Sequence, residues 1–287
     1  MSLVIRSERR SAKRRARACL ERSRGSATAS RTTILPAQTP AGPSSSFPAR
    51  RFRSTYGIRR DALAANGFRV LRYDYFGRGF SDRPQLRYDL ATYDRQLTEL
   101  LDTLGLRGPI DVAGISMGGV VAAHFADRHP ERVRSLTLVG PAFGLMPETP
   151  SPLRIRRIGD FVMTVAAPEM AKGQLQDFLH PEHYPAWVDR YEVQMQYKGF
   201  RRSMLETLRG DVFKRPVTSF TTLATSRIPM LIVWGRADRT VPFARSVAVR
   251  AEFPRAEFHA IAGAAHVPQI EQAAVVDSVV LAFLQRH

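Results

Sequence analysis

The sequence has little cysteine and no long apolar run. Cys19 is the only cysteine among 287 residues, so an intrachain disulfide and a thiolate metal site are both excluded. A single thiol is compatible with a reducing compartment, and we expect a cytoplasmic protein. No uninterrupted apolar stretch reaches the roughly 18 to 20 residues that a membrane-spanning helix needs. The sequence therefore predicts no transmembrane segment.

Acidic residues are scarce at one end of the chain only. The sequence carries 43 Lys and Arg against 26 Asp and Glu, a formal net charge of +17. Residues 1–60 hold 15 of the basic residues and only 2 of the acidic ones, whereas the rest of the chain is nearly balanced. Residues 1–53 are also rich in Ser, Ala and Pro and lack apolar periodicity. We expect them to form a basic segment that is disordered or not in the native reading frame.

From residue 54 onward, short apolar runs alternate with amphipathic patterns. The runs predict strands at 68–74, 110–115, 133–139, 230–234 and 257–261. Helical spacing predicts helices at 92–104, 118–129, 242–252 and 270–285. This alternation is typical of an α/β fold with a mostly parallel sheet flanked by helices. Residues 54–145 and 226–287 form the two parts of this core, and 146–225, which lack strand signals, form a helical cap insertion.

A serine stands among glycines where one predicted strand ends. Residues 111–126 read DVAGISMGGVVAAHFA. A strand that reverses sharply into a helix leaves no room for side chains at Gly114 and Gly118, and it forces the side chain of Ser116 outward. Reactive groups gather at the carboxyl ends of strands in such sheets. Ser116 is therefore a candidate nucleophile.

Two further candidates follow later strands. Asp238 closes the stretch MLIVWGRAD, and His266 lies in HAIAGAAHVP. A serine hydroxyl needs a base to remove its proton, neutral imidazole suits this task near pH 7, and a carboxylate fixes the imidazole tautomer. The order Ser, Asp, His supplies these three roles.

Each of the two partners has a competitor. Asp74 in YDYFGRG is an alternative acid, although Asp238 follows the penultimate strand, from which a carboxylate can reach the imidazole. His259 is an alternative base, but it lies within a strand pattern and is expected to point into a layer of the fold. We favour Asp238 and His266, and we expect Asp74 to shape a tight loop beside the site.

Five segments in order carry a resemblance to a known family: RYDYFGRGFSDRP, GISMGG, HPERV, WGRADRTVP and GAAHVPQIEQ. Residues 61–287 resemble the α/β-hydrolase superfamily, close to its serine esterase and lipase-like members with a helical cap. The resemblance implies that Ser116 is the nucleophile, His266 the general base and acid, Asp238 its partner, and the Met117 N–H an oxyanion donor. It implies a small-molecule ester or acyl substrate and neither a metal nor another cofactor. Epoxide hydrolases and haloalkane dehalogenases of this fold use aspartate in place of this serine, so the resemblance disfavours those two activities.

The chain departs from this family before residue 61. Relatives have a strand ending in a His-Gly loop that supplies the second oxyanion donor, yet no histidine precedes His124. We therefore expect the first strands of the sheet to be missing or degraded and activity to be impaired. Three explanations compete: residues 52–57 supply the donor in an unusual loop, the chain is an inactive relative, or residues 1–53 are not in the native reading frame, and we favour the last. Under the last explanation, the segment PSSSF would be a frame-shifted reading of a strand. If its codons are GC-rich, reading the same DNA two bases later encodes Val-Val-Leu-Val, which is the expected strand.

Several functions share these motifs. Ester hydrolysis through an acyl-enzyme is the first hypothesis, while proline iminopeptidases, carbon–carbon bond hydrolases and haloperoxidase-like proteins are similar in motif. The alternative is an impaired hydrolase-like protein whose basic N-terminal arm binds nucleic acid or another acidic partner. Few aromatics and no recognisable nucleic-acid module make nucleic acid an unfavoured partner. The arm also resembles a mitochondrial transit peptide in composition but has a poor amphipathic pattern. The spacing of His180 and His183 in HPEHYPAW is one that a metal site can use, but no further set of ligands accompanies them, so we do not favour a metal site there.

Overall fold

The structure is a computed structural model, and it describes residues 2–6, 34–35 and 60–287. These residues form a seven-stranded sheet flanked by helices, and the strands, numbered in chain order, lie side by side in the order β2-β3-β1-β4-β5-β6-β7. The strands are β1 Ser2–Arg6, β2 Ile34–Leu35, β3 Phe68–Tyr73, β4 Ile110–Ile115, β5 Val133–Val139, β6 Met230–Gly235 and β7 Glu257–Ile261. Strands β4 to β7 are parallel. The predicted α/β fold is confirmed.

Helices cover both faces of the sheet. They are α1 Arg60–Ala65, α2 Leu90–Thr103, α3 Met117–Arg128, α4 Ser151–Arg154, α5 Arg156–Val165, α6 Ala167–Gly173, α7 Trp187–Met195, α8 Phe200–Arg209, α9 Thr221–Thr225, α10 Ser246–Glu252, α11 Pro268–Glu271 and α12 Ala273–Arg286. Val112 and Ile232 face one core with α2 and α3, whereas Ala113 and Val233 face the other with α1 and α12. The central strands are buried on both faces, which explains their continuous apolar runs. Within the described ranges no helix is long and apolar enough to cross a membrane.

The strand β1 is the main difference from the sequence prediction, which expects no strand from residues 1–53. It lies between β3 and β4 and is antiparallel to both, with Val4 opposite Val70 and Asp111. Pairing with β1 satisfies backbone groups of β3 and β4 that would otherwise lie at open edges, and the valine and isoleucine of β1 have a high propensity for strands. Because the strand is antiparallel, its first residue, Ser2, lies toward the carboxyl end of β4. Apart from β2, which pairs antiparallel with β3, the rest of this N-terminal segment, including 52–57, falls outside the described residues.

Between β5 and β6 the chain forms α4 to α9 and short 3-10 segments, with no strand in this described stretch. We refer to residues 146–225 as the cap. Helix α8 contacts the loop after β3, where the Ser203 hydroxyl donates to the carbonyl of Gly77 at 3.0 Å. A Cβ at Gly77 would lie 2.5 Å from the Ser203 Cβ, so this contact requires glycine. Arg202 adds a hydrogen bond of 3.0 Å to the carbonyl of Pro84. This end of the cap is therefore fixed to the core.

Candidate active site

Ser116 occupies a strained turn between β4 and α3. Its φ of 53° makes it the one non-glycine residue with positive φ among those the structure describes. A Cβ on Gly114 would lie 2.0 Å from the carbonyl oxygen of Gly118, so the end of the strand and the start of the helix are in backbone contact. Only glycine permits this approach, and the turn leaves the serine at its apex. Such backbone strain costs about 1 to 3 kcal/mol and is typical of functional sites.

Asp238 and His266 form a buried pair at the carboxyl ends of β6 and β7. The Nδ1 atom of His266 lies 2.8 Å from Oδ2 of Asp238, and the two side chains are 3% and 0% exposed. The other oxygen of Asp238, Oδ1, accepts the N–H of Val241 at 2.9 Å, which fixes the carboxylate's rotation. With the Nδ1 proton directed at the carboxylate, Nε2 is the ring nitrogen left to act as a base.

The turn that follows β5 connects Ser116 to this pair. The N–H of Ser116 donates to the carbonyl of Val139 at 2.9 Å. The next residue, Gly140, has a positive φ, and a Cβ there would lie 3.2 Å from Oδ2 of Asp238 and 3.4 Å from Nδ1 of His266. The turn after β5 therefore contacts the backbone of Ser116 through Val139 and the Asp238–His266 pair through Gly140.

Met117 begins helix α3 directly after Ser116. The first N–H groups of a helix have no intrahelical acceptor, and the positive end of the helix dipole lies there. The N–H of Met117 is thus available to a developing negative charge beside Ser116. The position expected for a second donor, 52–57, falls in the part of the chain that the structure does not describe.

Asp74 and His259, the alternative acid and base, make contacts outside the Asp238–His266 pair. Asp74 Oδ2 accepts the N–H of Phe80 at 3.0 Å, and the Ser81 hydroxyl donates to the carbonyl of Asp74 at 2.6 Å, in agreement with the predicted loop-shaping role. Burial raises the pKa of Asp74 above its ordinary value. His259 lies on the edge strand β7 opposite Val233, where its side chain is 36% exposed and Nε2 lies 2.7 Å from Oε1 of Glu257.

The two histidines of HPEHYPAW interact with each other. Their rings stack at 5.3 Å between centroids, and Nδ1 of His180 lies 3.2 Å from Oε1 of Glu182. Across the described part of the chain, no group of three or more His, Cys, Asp or Glu side chains is arranged to hold a metal ion.

Sequence reasoning missed two residues that contact the loops carrying Asp238 and His266. Asp177 accepts hydrogen bonds from Thr240 and from the backbone of His266, and Glu271 accepts one from the backbone of Ala265. Glu271 lies in GAAHVPQIEQ, five residues after His266, and this short spacing is the one signal that the sequence offers. Asp177 comes from the cap, and nothing local marks it.

The fold agrees with comparisons to known proteins. Residues 39–278 match the sequence profile of the alpha/beta hydrolase family, and the chain belongs to that family. It is 30% identical over 243 residues to a 2-hydroxy-6-oxononadienedioate/2-hydroxy-6-oxononatrienedioate hydrolase of Burkholderia vietnamiensis, covering 79% of this chain and 80% of the relative. It is 29% identical to a 2-hydroxymuconate semialdehyde hydrolase of Pseudomonas putida, covering 71% and 73%.

A solved structure of a thermophilic esterase from Thermogutta terrifontis has a similar fold. The TM-score is 0.66 at 24% identity, and the match covers 79% of this chain and 83% of the esterase. At this identity the likeness concerns the fold alone. The two sequence relatives described above are named as hydrolases, and the chain is a hydrolase of the same family.

Proposed function

We propose that the protein is a serine hydrolase that cleaves a carboxylic ester or a related acyl bond of a small molecule through an acyl-enzyme on Ser116. The observation that carries this proposal is the buried hydrogen bond of 2.8 Å between His266 and Asp238, beside the turn that contacts Ser116. A buried imidazole with a fixed tautomer is poised to accept a proton from a neighbouring hydroxyl.

The reaction would proceed in two halves. Ser116 Oγ attacks the carbonyl carbon while Nε2 of His266 takes its proton, and Asp238 stabilises the imidazolium that forms. The N–H of Met117 donates to the oxyanion of the tetrahedral intermediate. His266 then protonates the leaving group, which departs and leaves the acyl group on Ser116. Water activated by His266 attacks this ester and releases the acid and the free serine.

The second oxyanion donor determines how fast this reaction is. Loss of one donor costs about 10² to 10³ in rate, or roughly 3 to 4 kcal/mol. With Met117 alone we expect acylation to be slow, and with an N–H from residues 52–57 we expect ordinary turnover. A weak esterase with a complete Ser–His–Asp set is thus the outcome we expect if that segment contributes nothing.

Hydrolysis of a carbon–carbon bond is the second candidate. The two relatives described above are named as hydrolases of 2-hydroxy-6-oxo dienedioates and of 2-hydroxymuconate semialdehyde. Such substrates have a ketone or an aldehyde carbonyl in place of the ester carbonyl, and the same serine, imidazole and oxyanion donor would serve the cleavage. Assays with both substrate classes distinguish ester hydrolysis from carbon–carbon cleavage.

A catalytically impaired hydrolase whose basic arm binds an acidic partner stays a prediction, since nearly all of that arm falls outside the described residues. The cytoplasmic location expected from the single cysteine also stays a prediction.

The test compares the wild type with Ser116→Ala on p-nitrophenyl esters of short acids. We expect a burst of p-nitrophenol from the wild type, covalent labelling by a fluorophosphonate, and loss of both in the variant. Ser219→Ala, which removes an exposed hydroxyl bonded to Pro216, is the matched control and should behave as wild type. A parallel assay with a 2-hydroxy-6-oxo dienoate identifies carbon–carbon cleavage. Equal turnover by the wild type and Ser116→Ala on every substrate rejects the proposal.

A further inference from the structure

A short piece of the cap lies against both loops of the proposed site. We call residues 177–179 the cap strap. The carbonyl of Asp177 accepts the backbone N–H of His266 at 3.0 Å. The carboxylate of Asp177, which is 6% exposed, accepts the hydroxyl of Thr240 at 2.7 Å, and Thr240 lies two residues after Asp238. The cap strap therefore contacts the loop of the base and the loop of the acid.

Glu271 joins the cap strap to the loop of His266. Its Oε1 accepts the N–H of Leu179 at 2.6 Å, and its Oε2 accepts the N–H of Ala265 at 2.7 Å. Ala265 is the residue before His266. Hydrogen bonds to a carboxylate are about twice as strong as those between neutral groups. One carboxylate thus uses both oxygens to hold two backbone segments that are distant in sequence.

Apolar packing reinforces the same junction. Phe178 of the cap strap forms a buried cluster with Trp187 and Val267, and its ring meets Trp187 edge to face at 4.8 Å. Ile115 packs against this cluster. Val267 follows His266 and Ile115 precedes Ser116, so the cluster contacts the immediate neighbours of both proposed catalytic residues.

We propose that Glu271 is a positioning residue that sets the place of the His266 imidazole by clamping the cap strap onto its loop. The inference rests on the proposed roles of Ser116 and His266. The ring is held from one side by Asp238, and its backbone is held from the other by the cap strap. Without the carboxylate, the N–H groups of Leu179 and Ala265 lose their acceptor, and the loop is free to shift. A displacement of about 1 Å at a reacting group costs about 10²-fold in rate.

The kinetic test is Glu271→Gln, which keeps the size of the side chain but replaces one acceptor with a donor. We expect kcat to fall by about 10- to 100-fold while KM for a short ester stays nearly unchanged. Glu271→Asp, too short to reach both N–H groups, should lie between the wild type and Glu271→Gln. Glu169→Gln is the matched control, because Glu169 is an exposed cap carboxylate paired with Lys172, and it should keep the wild-type kcat.

The structural test does not depend on turnover. We expect Glu271→Gln to accelerate amide hydrogen exchange at His266 and to shift or broaden the low-field proton resonance of its Nδ1–H. The amide of Ile232, in the central strand β6, should exchange as in the wild type. Unchanged exchange and resonance at His266 overturn the proposal, and so does equal acceleration at Ile232, which would report global destabilisation. If Ser116→Ala leaves turnover intact, the proposed function fails, while the exchange data still decide the role of Glu271.

Discussion

Asp238 holds the imidazole of His266 by a hydrogen bond of 2.8 Å in a place from which solvent is excluded. The hydrogen bond of the second oxygen to the backbone of Val241 prevents the carboxylate from turning away. In a low-dielectric environment such an arrangement stabilises the charge that develops on the ring during proton transfer. The tautomer of His266 is therefore decided by Asp238.

Asp238→Asn tests this dependence. The amide fills the same space, but its NH₂ group can face Nδ1 and then moves the ring proton to Nε2, so the base is lost. We expect kcat to fall by about 10³ to 10⁴ with the fold intact. Steady-state kinetics on a p-nitrophenyl ester measure the change. Asp160→Asn, on the exposed side of α5, serves as control, and a loss below about tenfold for Asp238→Asn contradicts the assigned role.

Gly114→Ala tests the turn beneath Ser116. The new Cβ would lie 2.0 Å from the carbonyl oxygen of Gly118, and neither backbone segment can yield without moving β4 or α3. We expect the free energy of unfolding to fall by about 3 kcal/mol. Gly108→Ala is the control, since a Cβ there meets nothing within 4 Å. Urea unfolding compares the two, and equal stability of both variants would contradict the contact.

Ser203→Ala tests the attachment of the cap. The buried hydroxyl donates to the carbonyl of Gly77 and accepts a hydrogen bond of 3.3 Å from Arg78. Removing it leaves both partners without this contact, so we expect a loss of about 1 to 3 kcal/mol in unfolding free energy. Thermal unfolding measures the loss. Ser219→Ala should change stability little, and a similar shift for both serines contradicts the prediction.

We expect the buried imidazole of His124 to make the free energy of unfolding depend on pH. Burial lowers its pKa below the ordinary 6.5, with Arg215 and Arg128 acting in the same direction and Asp94 and Asp211 opposing. At a pH below 6.5 the imidazole of His124 therefore binds a proton more readily in the unfolded chain than in the folded protein. The contribution of neutral, buried His124 to the free energy of unfolding is complete above pH 6.5 and is lost as the pH falls below that value.

Urea unfolding at about pH 5.5 and pH 7.5 measures this difference in the wild type and in His124→Gln. We expect the variant to lose less stability on acidification than the wild type. An identical difference in the two proteins would show that other groups cause the pH dependence.

Local patterns predicted the parallel part of the sheet well. The strands at Val133–Val139 and Glu257–Ile261 occur where the apolar runs placed them, and Ile110–Ile115 ends at Ser116 as expected. Ile110–Ile115 and Val133–Val139 are buried on both faces, so their composition directly reflects their environment, whereas Glu257–Ile261 lies at the edge of the sheet and is partly exposed. The glycine spacing around Ser116 was equally informative, because the backbone contact of Gly114 with Gly118 admits no side chain.

Contacts between distant segments were not predictable in this way. Asp177 and Glu271 meet the loop of His266 through backbone N–H and carbonyl groups, which every residue possesses and which leave no pattern in the sequence. The pairing of Ser2–Arg6 with β3 and β4 was missed for a related reason. A five-residue strand is too short for periodicity to distinguish it from the basic segment around it.

The positive φ of Ser116 implies that folding and chemistry make opposite demands on one position. Glycine adopts this conformation without the steric conflict that any side chain introduces. Ser116→Gly would thus relax the backbone and remove the hydroxyl in the same change. If Ser116 is the nucleophile that we propose, the substitution that removes the backbone strain also removes the activity.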